Sequence, residues 1–223
     1  VNLASQSYCG FVANQAPFVS NMNNMTYALQ NGWINNIWNP RYTNVMNPTY
    51  KTIQLAADNP DFKDLDAFAR IIRVSAMSRV SEHFGPIIYS QYNVLNEDGN
   101  IAYDDEPTLY ANYFQDLDIA INTLKSLVSS PISPQMKKAD LAYDSNNYEN
   151  WLRYANTLRL RLALRVVYAD PGMAKTQGEA ALNPANGGLL EDNSQNCFIE
   201  LSTTHPLNII GYDWSDTRMN AQM

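Results

Sequence analysis

The chain has 223 residues, of which 45% are hydrophobic and 17% charged, and its formal net charge is −7 at pH 7. This composition is typical of a globular protein, and the length allows one large domain or two small ones with an extensive core. The acidic balance excludes a basic stripe for nucleic acid, and no run of 18 apolar residues is available to span a membrane.

The first 57 residues give a weak helical signal. Residues 1–25 are rich in Asn, Ser and Gln and predict a loop or a poorly periodic helix. From Tyr27 to Ala57 apolar residues recur at helical spacing, but Pro40 lacks a backbone N–H and restricts the residue before it. We therefore predict one helix up to about Trp38 and a second helix that begins at Pro40.

The strongest helical pattern covers residues 61–84 and ends before Gly85 and Pro86. Its apolar stripe is Phe62, Leu65, Ala69, Ile72, Ala76 and Val80. Residues 86–104 predict a strand or hairpin-like excursion with a turn at residues 97–100. The next helix is predicted to begin at Pro107 or Thr108 and to end before Ser129. Its stripe is Tyr110, Phe114, Leu117, Ile121, Leu124 and Val128.

A segment in which leucine alternates with arginine follows at residues 151–165. Period two would indicate a half-exposed strand. Period 3.6 instead gives two apolar arcs on nearly opposite faces, a first arc of Trp151, Ala155, Leu158, Leu162 and Val166 and a second arc of Leu160, Leu164 and Val167. Because no Gly or Pro occurs between Glu149 and Asp170, we predict a helix over residues 148–169 that is enclosed on two flanks. Arg161 and Arg165 would stack at i,i+4 and need acidic or carbonyl partners.

A further short helix is predicted from Pro171 to Leu182, closed by residues 186–188. Helices of about 20 residues thus follow one another with few strands. This succession predicts a mainly α fold, a helical-repeat scaffold of antiparallel helix pairs with loop and short-hairpin excursions.

Residue types needed for catalysis are scarce. The two histidines are His83, at a predicted helix end, and His205, and no metal-ligand spacing, phosphate loop or Gly-x-Ser-x-Gly turn occurs. Adjacent acids such as Asp64/Asp66, Asp104/Asp105 and Glu191/Asp192 would suit a glycosidase, but helix caps and solubilising groups are favoured. We predict a protein that is not an enzyme, without cofactor or metal, and with Cys9 and Cys197 reduced and separate.

Aromatic residues beside amides are the stronger signal. The chain has 14 tyrosines and four tryptophans, more than a core requires, and many asparagines. Sugars stack their apolar C–H faces on aromatic rings and bind amides and guanidinium groups through their hydroxyls, so such clusters favour a glycan site. The alternative is core packing, which helical spacing favours for Trp38 and Tyr42. The candidate ligand-binding residues are Trp33, Asn36, Arg41, Tyr89, Tyr92, Asn93 and Trp214.

Several motifs occur in an order that resembles one family. They are Trp151-Leu152-Arg153-Tyr154-Ala155-Asn156-Thr157-Leu158-Arg159-Leu160-Arg161-Leu162-Ala163-Leu164-Arg165, Arg79-Val80-Ser81-Glu82-His83-Phe84-Gly85-Pro86-Ile87-Ile88-Tyr89-Ser90, Tyr103-Asp104-Asp105-Glu106-Pro107-Thr108-Leu109-Tyr110 and Leu117-Asp118-Ile119-Ala120-Ile121. The set is similar to helices and a strand of the SusD/RagB-like family, the SusD-like outer-membrane nutrient-binding lipoproteins of Bacteroidetes.

The resemblance implies a tetratricopeptide-like helical scaffold that carries binding loops. It implies a cell-surface lipoprotein of polysaccharide utilisation, held on the outer membrane by an N-terminal lipid that this chain does not contain. Its expected partners are an oligosaccharide and a SusC-like TonB-dependent transporter that receives it. Because family members are longer, residues 1–223 are expected to form one SusD-like domain without the extreme N-terminus and a C-terminal part.

Other functions stay open from the sequence. Within the resembled family the ligand would be an oligopeptide instead of a glycan. Outside it, a helical-repeat adaptor would use the aromatic residues as anchors for another protein. An enzyme would require two carboxylates that face each other in a deep cleft.

Overall fold

The computed structural model of the chain describes residues 7–14, 18–143, 147–199, 208–214 and 217–220, and it is mainly helical. The α-helices are α1 (Asn31–Arg41), α2 (Asn47–Ala57), α3 (Lys63–Phe84), α4 (Glu106–Leu127), α5 (Pro134–Ala139), α6 (Glu149–Arg165) and α7 (Pro171–Leu182). π-Helical turns lie at Tyr42–Met46 and Ile209–Asp213. The predicted fold class is confirmed.

The strands in the described residues are short. β1 (Val12–Asn14) pairs antiparallel with β2 (Thr217–Met219), with Val12 opposite Met219. The sequence analysis expected a loop or helix over residues 1–25, and it missed β1 because three residues carry no visible alternation. The predicted excursion at residues 86–104 is present as a single antiparallel bridge between Ile87 and Asp104, with a turn in which Asn100 accepts from the Asn96 N–H.

The chain forms two compact units, which we call the first unit (residues 1–42 and 200–223) and the second unit (residues 43–199). The first unit contains α1 and both strands, and the second contains α2 to α7. That residues 1–223 make one domain of a longer protein stays a prediction.

The helices of the second unit pack as stacked pairs. Contacts between α3 and α4 join Arg73 to Asp116 and Ser81 to Tyr113, so the two helices run antiparallel. Contacts between α3 and α6 join Ser75 to Tyr154 and Glu82 to Arg161, so these two run parallel.

Helix α7 packs against α6, and α2 packs against α3. Equivalent helices of successive pairs therefore run in the same direction, which is the arrangement of a helical repeat. The predicted stack of antiparallel pairs is confirmed.

The leucine and arginine helix, α6, is buried on one side only. Trp151, Ala155, Leu158, Leu162 and Val166 are in the core, as the first predicted arc requires. The second arc was predicted to be interior, and this is wrong, because the side chain of Leu164 is 65% exposed and Val167 is exposed too.

The arginines of α6 have partners, as predicted. Arg161 and Arg165 each lie 3.2 Å from Glu82, but both guanidinium groups are partly exposed. The buried arginine is Arg159, which donates to Gln177 on α7 and pairs with Asp118 on α4. Pairing therefore satisfies one buried and two peripheral charges.

A buried carboxylate, Asp116, joins α3, α4 and the segment after α3. It lies 2.6 Å from both Arg70 and Arg73 and accepts a hydrogen bond from the Tyr89 hydroxyl. The guanidinium of Arg73 also lies 5.0 Å from the centroid of the Tyr89 ring. Burial, and next the negative charge of Asp116, raise the pKa of Tyr89 well above its usual range, so the phenol remains a neutral donor.

Three more buried aspartates also accept hydrogen bonds from other segments of the chain. Asp64 accepts from the hydroxyls of Ser133 and Tyr148, and Asp104 accepts from the backbone N–H groups of Tyr89 and Ser90. Asp140 accepts from the indole N–H of Trp151.

The sequence analysis expected Asp64 and Asp104 to be caps or solubilising groups, and both are buried. The expectation holds for the neighbouring Asp105, which caps α4. Hydrogen bonds from the hydroxyl and the N–H of Thr108 lower the pKa of this carboxyl.

Helix boundaries differ most from prediction around Pro40. The residue was predicted to begin a helix, but it lies inside α1, near its C-terminal end. Its missing N–H leaves the carbonyl of Asn36 without an intrahelical donor, and the exposed position of Asn36 leaves that carbonyl open to water. Farther along, α3 ends before Gly85, as predicted.

Within the residues that the structure describes, no helix is both long and apolar enough to cross a bilayer.

We predict that Asp116→Ala destabilises the protein by about 3–5 kcal/mol, because two guanidinium groups lose their shared buried partner. Urea unfolding followed by circular dichroism measures the change. Glu179→Ala, which removes only an exposed helix pair with Lys175, should cost less than about 0.5 kcal/mol. Equal effects of the two substitutions would contradict a central role for Asp116.

A second prediction concerns the turn after α7. Gly187 has a φ of +99°, and a Cβ there would lie 2.3 Å from Cδ2 of the buried Leu152. Gly187→Ala should therefore cost about 1–3 kcal/mol more than Gly99→Ala, where φ is +76° and the space around a Cβ is open. Thermal unfolding of both variants separates the clash from the backbone strain.

Candidate functional site

Helix α1 is amphipathic, yet none of its residues is buried. At about 100° per residue, Trp33 and Ile37 lie within about 40° of each other, whereas Trp38 lies about 140° from Trp33 and next to Asn31. Asn31, Asn35 and Asn39 recur at i,i+4 spacing on the other side, and Asn36 lies between these asparagines and Trp33. Two indole rings thus keep accessible area beside a row of exposed carboxamides.

Ring pairs fix the two tryptophans of α1. The centroids of Trp33 and Phe18 lie 5.6 Å apart, and those of Trp38 and Tyr42 lie 4.9 Å apart. Such tilted pairs stabilise the ring positions while leaving part of each face open. We call this set the α1 surface, and it comprises Phe18, Trp33, Trp38 and Tyr42 with Asn31, Asn35, Asn36 and Asn39.

A strained turn precedes α1 and positions Phe18. Val19, Ser20 and Asn21 follow Phe18 with φ values of 50°, 51° and 60°. This left-handed backbone is unfavourable for residues with a Cβ, most of all for a β-branched one. Strain of this kind persists only where the surroundings hold the backbone, and it is concentrated at functional sites.

Asn23 supplies most of that restraint. Its buried side chain donates to the carbonyl of Phe18 at 2.8 Å and accepts from the N–H of Met25 at 2.9 Å. Thr26 completes a capping box with Asn23, and its hydroxyl donates to the carbonyl of Asn21 at 2.5 Å. The loop that supports Trp33 is therefore tied together by local hydrogen bonds.

The geometry suits a neutral polyhydroxylated ligand. Indole faces offer apolar area for the C–H side of a sugar ring, and each carboxamide offers a donor and an acceptor to its hydroxyls. The predicted candidates Trp33, Asn36 and Arg41 all lie on α1, and Arg41 is half-buried in its last turn. Their contact with a ligand stays a prediction.

The candidate ligand-binding residues of the second unit differ in their exposure. Tyr89 is 3% exposed and packs edge-on against Tyr113 at 4.9 Å, so it offers no face for stacking a ligand. Its role is the structural one described for Asp116, which spacing alone did not reveal. Tyr92 is half-buried against Tyr50 at 5.3 Å, and Asn93 is exposed with a φ of 64°.

Trp214, the last candidate, is exposed and follows the π-helical turn Ile209–Asp213 of the first unit. Tyr212, which lies two residues before Trp214, is exposed as well. Both residues fit the composition of a binding surface.

The histidines and cysteines were the residues that could have served catalysis or metal binding. His83 lies at the C-terminal end of α3, with its Nδ1 atom 2.7 Å from the carbonyl of Arg79. His205 lies outside the described residues. Cys9 and Cys197 are free thiols and both are exposed. In the part of the chain that the structure describes, no group of three His, Cys, Asp or Glu side chains is placed to hold a metal ion.

Sequence reasoning missed Phe18 and the turn that positions it. The available signal was Asn23-x-x-Thr26, which has cap-forming residues at capping-box spacing. It was overlooked because the segment lacks apolar periodicity and Thr26 stands where a capping box usually has Glu or Gln.

Comparison with known proteins identifies what the chain is similar to. A sequence model described as SusD-like, for the SusD and RagB outer membrane lipoproteins, matches residues 1–223. A comparison with curated proteins gave no match.

Solved structures of similar fold come from the same group. A chitin-binding SusD homologue from Flavobacterium johnsoniae is 35% identical with a TM-score of 0.89, and the match covers 100% of this chain and 45% of that one. A SusD homologue from Bacteroides vulgatus is 27% identical with a TM-score of 0.86, over 99% of this chain and 43% of that one. The chain therefore spans less than half the length of these similar structures.

We predict that Asn23→Ala loosens the turn before α1, because the carbonyl of Phe18 and the N–H of Met25 both lose their partner. The local stability should fall by about 1–2 kcal/mol. Hydrogen exchange of residues 18–28 would then be about tenfold faster. Asn31→Ala, at an exposed asparagine of α1, is the matched control, and unchanged exchange in Asn23→Ala would contradict the assignment.

Proposed function

Because the chain belongs to the SusD-like family of outer membrane lipoproteins, we propose that it binds an oligosaccharide on the α1 surface. The bound glycan is then released to a SusC-like TonB-dependent transporter. The protein acts at the cell-surface face of the outer membrane, to which an N-terminal lipid attaches it.

One observation carries the choice of ligand. Helix α1 presents two tryptophans beside exposed asparagines and buries none of its residues. Aromatic area that a folded protein leaves accessible next to carboxamides, and without a cluster of charge, suits a neutral sugar better than a charged ligand.

Chitin fragments are the first ligand that we propose. The similar protein from Flavobacterium johnsoniae is described as chitin-binding and is 35% identical to this chain over the matched region. N-acetylglucosamine carries an acetamido group, whose N–H and C=O are complementary to the carboxamide of Asn36, which lies beside Trp33. Its methyl group and ring C–H atoms would pack on Trp33.

The proposed role is binding without bond cleavage. Capture followed by release requires moderate affinity and a short residence time, which a shallow aromatic surface provides. Preformed ring pairs reduce the entropy cost of ordering the site, so binding does not require a large conformational change. The turn held by Asn23 has this effect on the α1 surface.

We predict that Trp33→Ala weakens the binding of N-acetylglucosamine oligomers about tenfold, and that Trp33→Ala with Trp38→Ala weakens it further. Loss of a stacked ring costs about 0.5–1.5 kcal/mol beyond its buried area. Isothermal titration calorimetry measures the affinity. Tyr168→Ala is the control, because this side chain is 98% exposed at the C-terminal end of α6 in the second unit.

The same titration with maltose oligomers and with neutral oligopeptides separates the candidate ligands. Tight binding of peptides alone would replace the glycan by an oligopeptide, and capture of neither class would contradict the proposal. Chromatography of the oligomers after incubation tests for cleavage. Shortened products would contradict a purely binding role.

A further inference from the structure

A second group of carboxamides lies in the second unit, beyond the N-terminal end of α6. It lines an open hollow of about 490 Å³. The lining consists of Ala142, Tyr143, Asn147, Asn150, Asn193, Ser194, Asn196 and Phe198. We call it the asparagine hollow, and none of its residues belongs to the α1 surface.

Two segments distant in sequence form the hollow and are held together. The Tyr143 hydroxyl donates to the carbonyl of Gln195 at 3.0 Å, which joins residues 142–143 to residues 193–198. The Tyr143 ring packs edge-on against Trp151 at 5.2 Å. Buried Asp140 accepts from the indole N–H of Trp151 and from the N–H of Tyr143. The wall of the hollow is therefore anchored in the core.

The polar groups of the hollow are available for a ligand. The Oδ1 atom of Asn147 accepts from the backbone N–H groups of Glu149 and Asn150, so its side-chain amide N–H groups remain available to a ligand. Among the described residues, the carboxamides of Asn150, Asn193 and Asn196 carry no hydrogen bond from the protein. Three carboxamides thus offer both donors and acceptors in one hollow.

The chemistry of the lining excludes several ligand classes. None of the eight lining residues is Asp, Glu, His, Lys or Arg. An anion would find no cationic partner, and a metal ion would find amide oxygens without a carboxylate. Hydroxyl groups, which both donate and accept, are complementary to carboxamides.

An exposed aromatic ring completes the hollow. The side chain of Phe198 is 65% exposed, although an apolar ring in water is unfavourable. Beside carboxamides, such a ring gives a stacking face for the C–H side of a pyranose. The volume of the hollow lies within the range of about 300–1,000 Å³ that small-ligand sites occupy.

We propose that the asparagine hollow is a second carbohydrate-binding site, which takes one or two neutral pyranose units. Phe198 stacks on the apolar face of the sugar, and Asn150, Asn193 and Asn196 bind its hydroxyls. The geometry of the hollow carries this inference independently of the α1 surface. Two separate sites would let one chain hold a polymeric glycan by avidity.

The experiment uses the whole chain with Trp33→Ala and Trp38→Ala, so that the α1 surface contributes least. N-acetylglucosamine trimer and maltotriose are titrated into the ¹⁵N-labelled protein, and the side-chain amide signals of asparagine are followed by NMR. At least one sugar should shift the signals of Asn150, Asn193 and Asn196. Phe198→Ala should weaken this binding about tenfold, and Asn196→Ala about threefold to tenfold.

Matched controls separate the hollow from general effects. Asn122→Ala on α4 and Tyr168→Ala after α6 change an exposed asparagine and an exposed tyrosine elsewhere in the second unit, and neither should change the affinity. Absence of shifts at the three asparagines with both sugars would overturn the inference. Undiminished binding in both Phe198→Ala and Asn196→Ala would do so as well.

Failure of this inference is distinguishable from failure of the proposed function. Sugar binding that Trp33→Ala and Trp38→Ala abolish would support the α1 surface and overturn the hollow. Binding that resists these substitutions and is lost in Phe198→Ala would support the hollow and overturn the α1 surface. Two sugar equivalents in the unsubstituted chain, reduced to one by either change, would support both.

Discussion

Burial of carboxylates with several donors each is the constraint on which the second unit depends. Asp116 shares two guanidinium groups and a phenol, and Asp64, Asp104 and Asp140 bind hydroxyl, amide or indole groups from other segments. A buried charge is costly unless its partners are in place, so each of these carboxylates requires the segments that supply its donors. They connect the helices to the intervening segments, which apolar packing alone would orient less specifically.

This rigidity bears on binding. Asp140 orients Trp151 and the Tyr143 segment, and so holds one wall of the asparagine hollow. In the first unit, Asn23 holds a left-handed turn and with it the ring of Phe18 against Trp33. In both places a hydrogen-bonded polar side chain fixes the backbone, and the neighbouring aromatic ring and carboxamides are left accessible. The two surfaces thus use the same chemistry on separate supports.

Sequence patterns predicted where helices begin and end better than they predicted which side chains are buried. Gly85 ended α3 and Pro171 began α7 as expected, because these signals act within a few residues. The helix predicted to begin at Pro40 was wrong, because a proline near the end of an exposed helix removes only a hydrogen bond that water replaces. Leu164 misled because a repeat helix has an outer side, and whether that side is covered depends on neighbours that periodicity does not specify.

The sequence by itself determined the mainly α class, the succession of helices, the family and the kind of chemistry that tyrosine, tryptophan and asparagine supply. These depend on composition, local periodicity and short motifs. Only the tertiary structure decided which aspartates are buried, that Tyr89 is a core residue, and that residues 143 and 198 line one hollow. Those features require contacts between segments far apart in the chain, and their energies depend on burial and geometry that no local pattern contains.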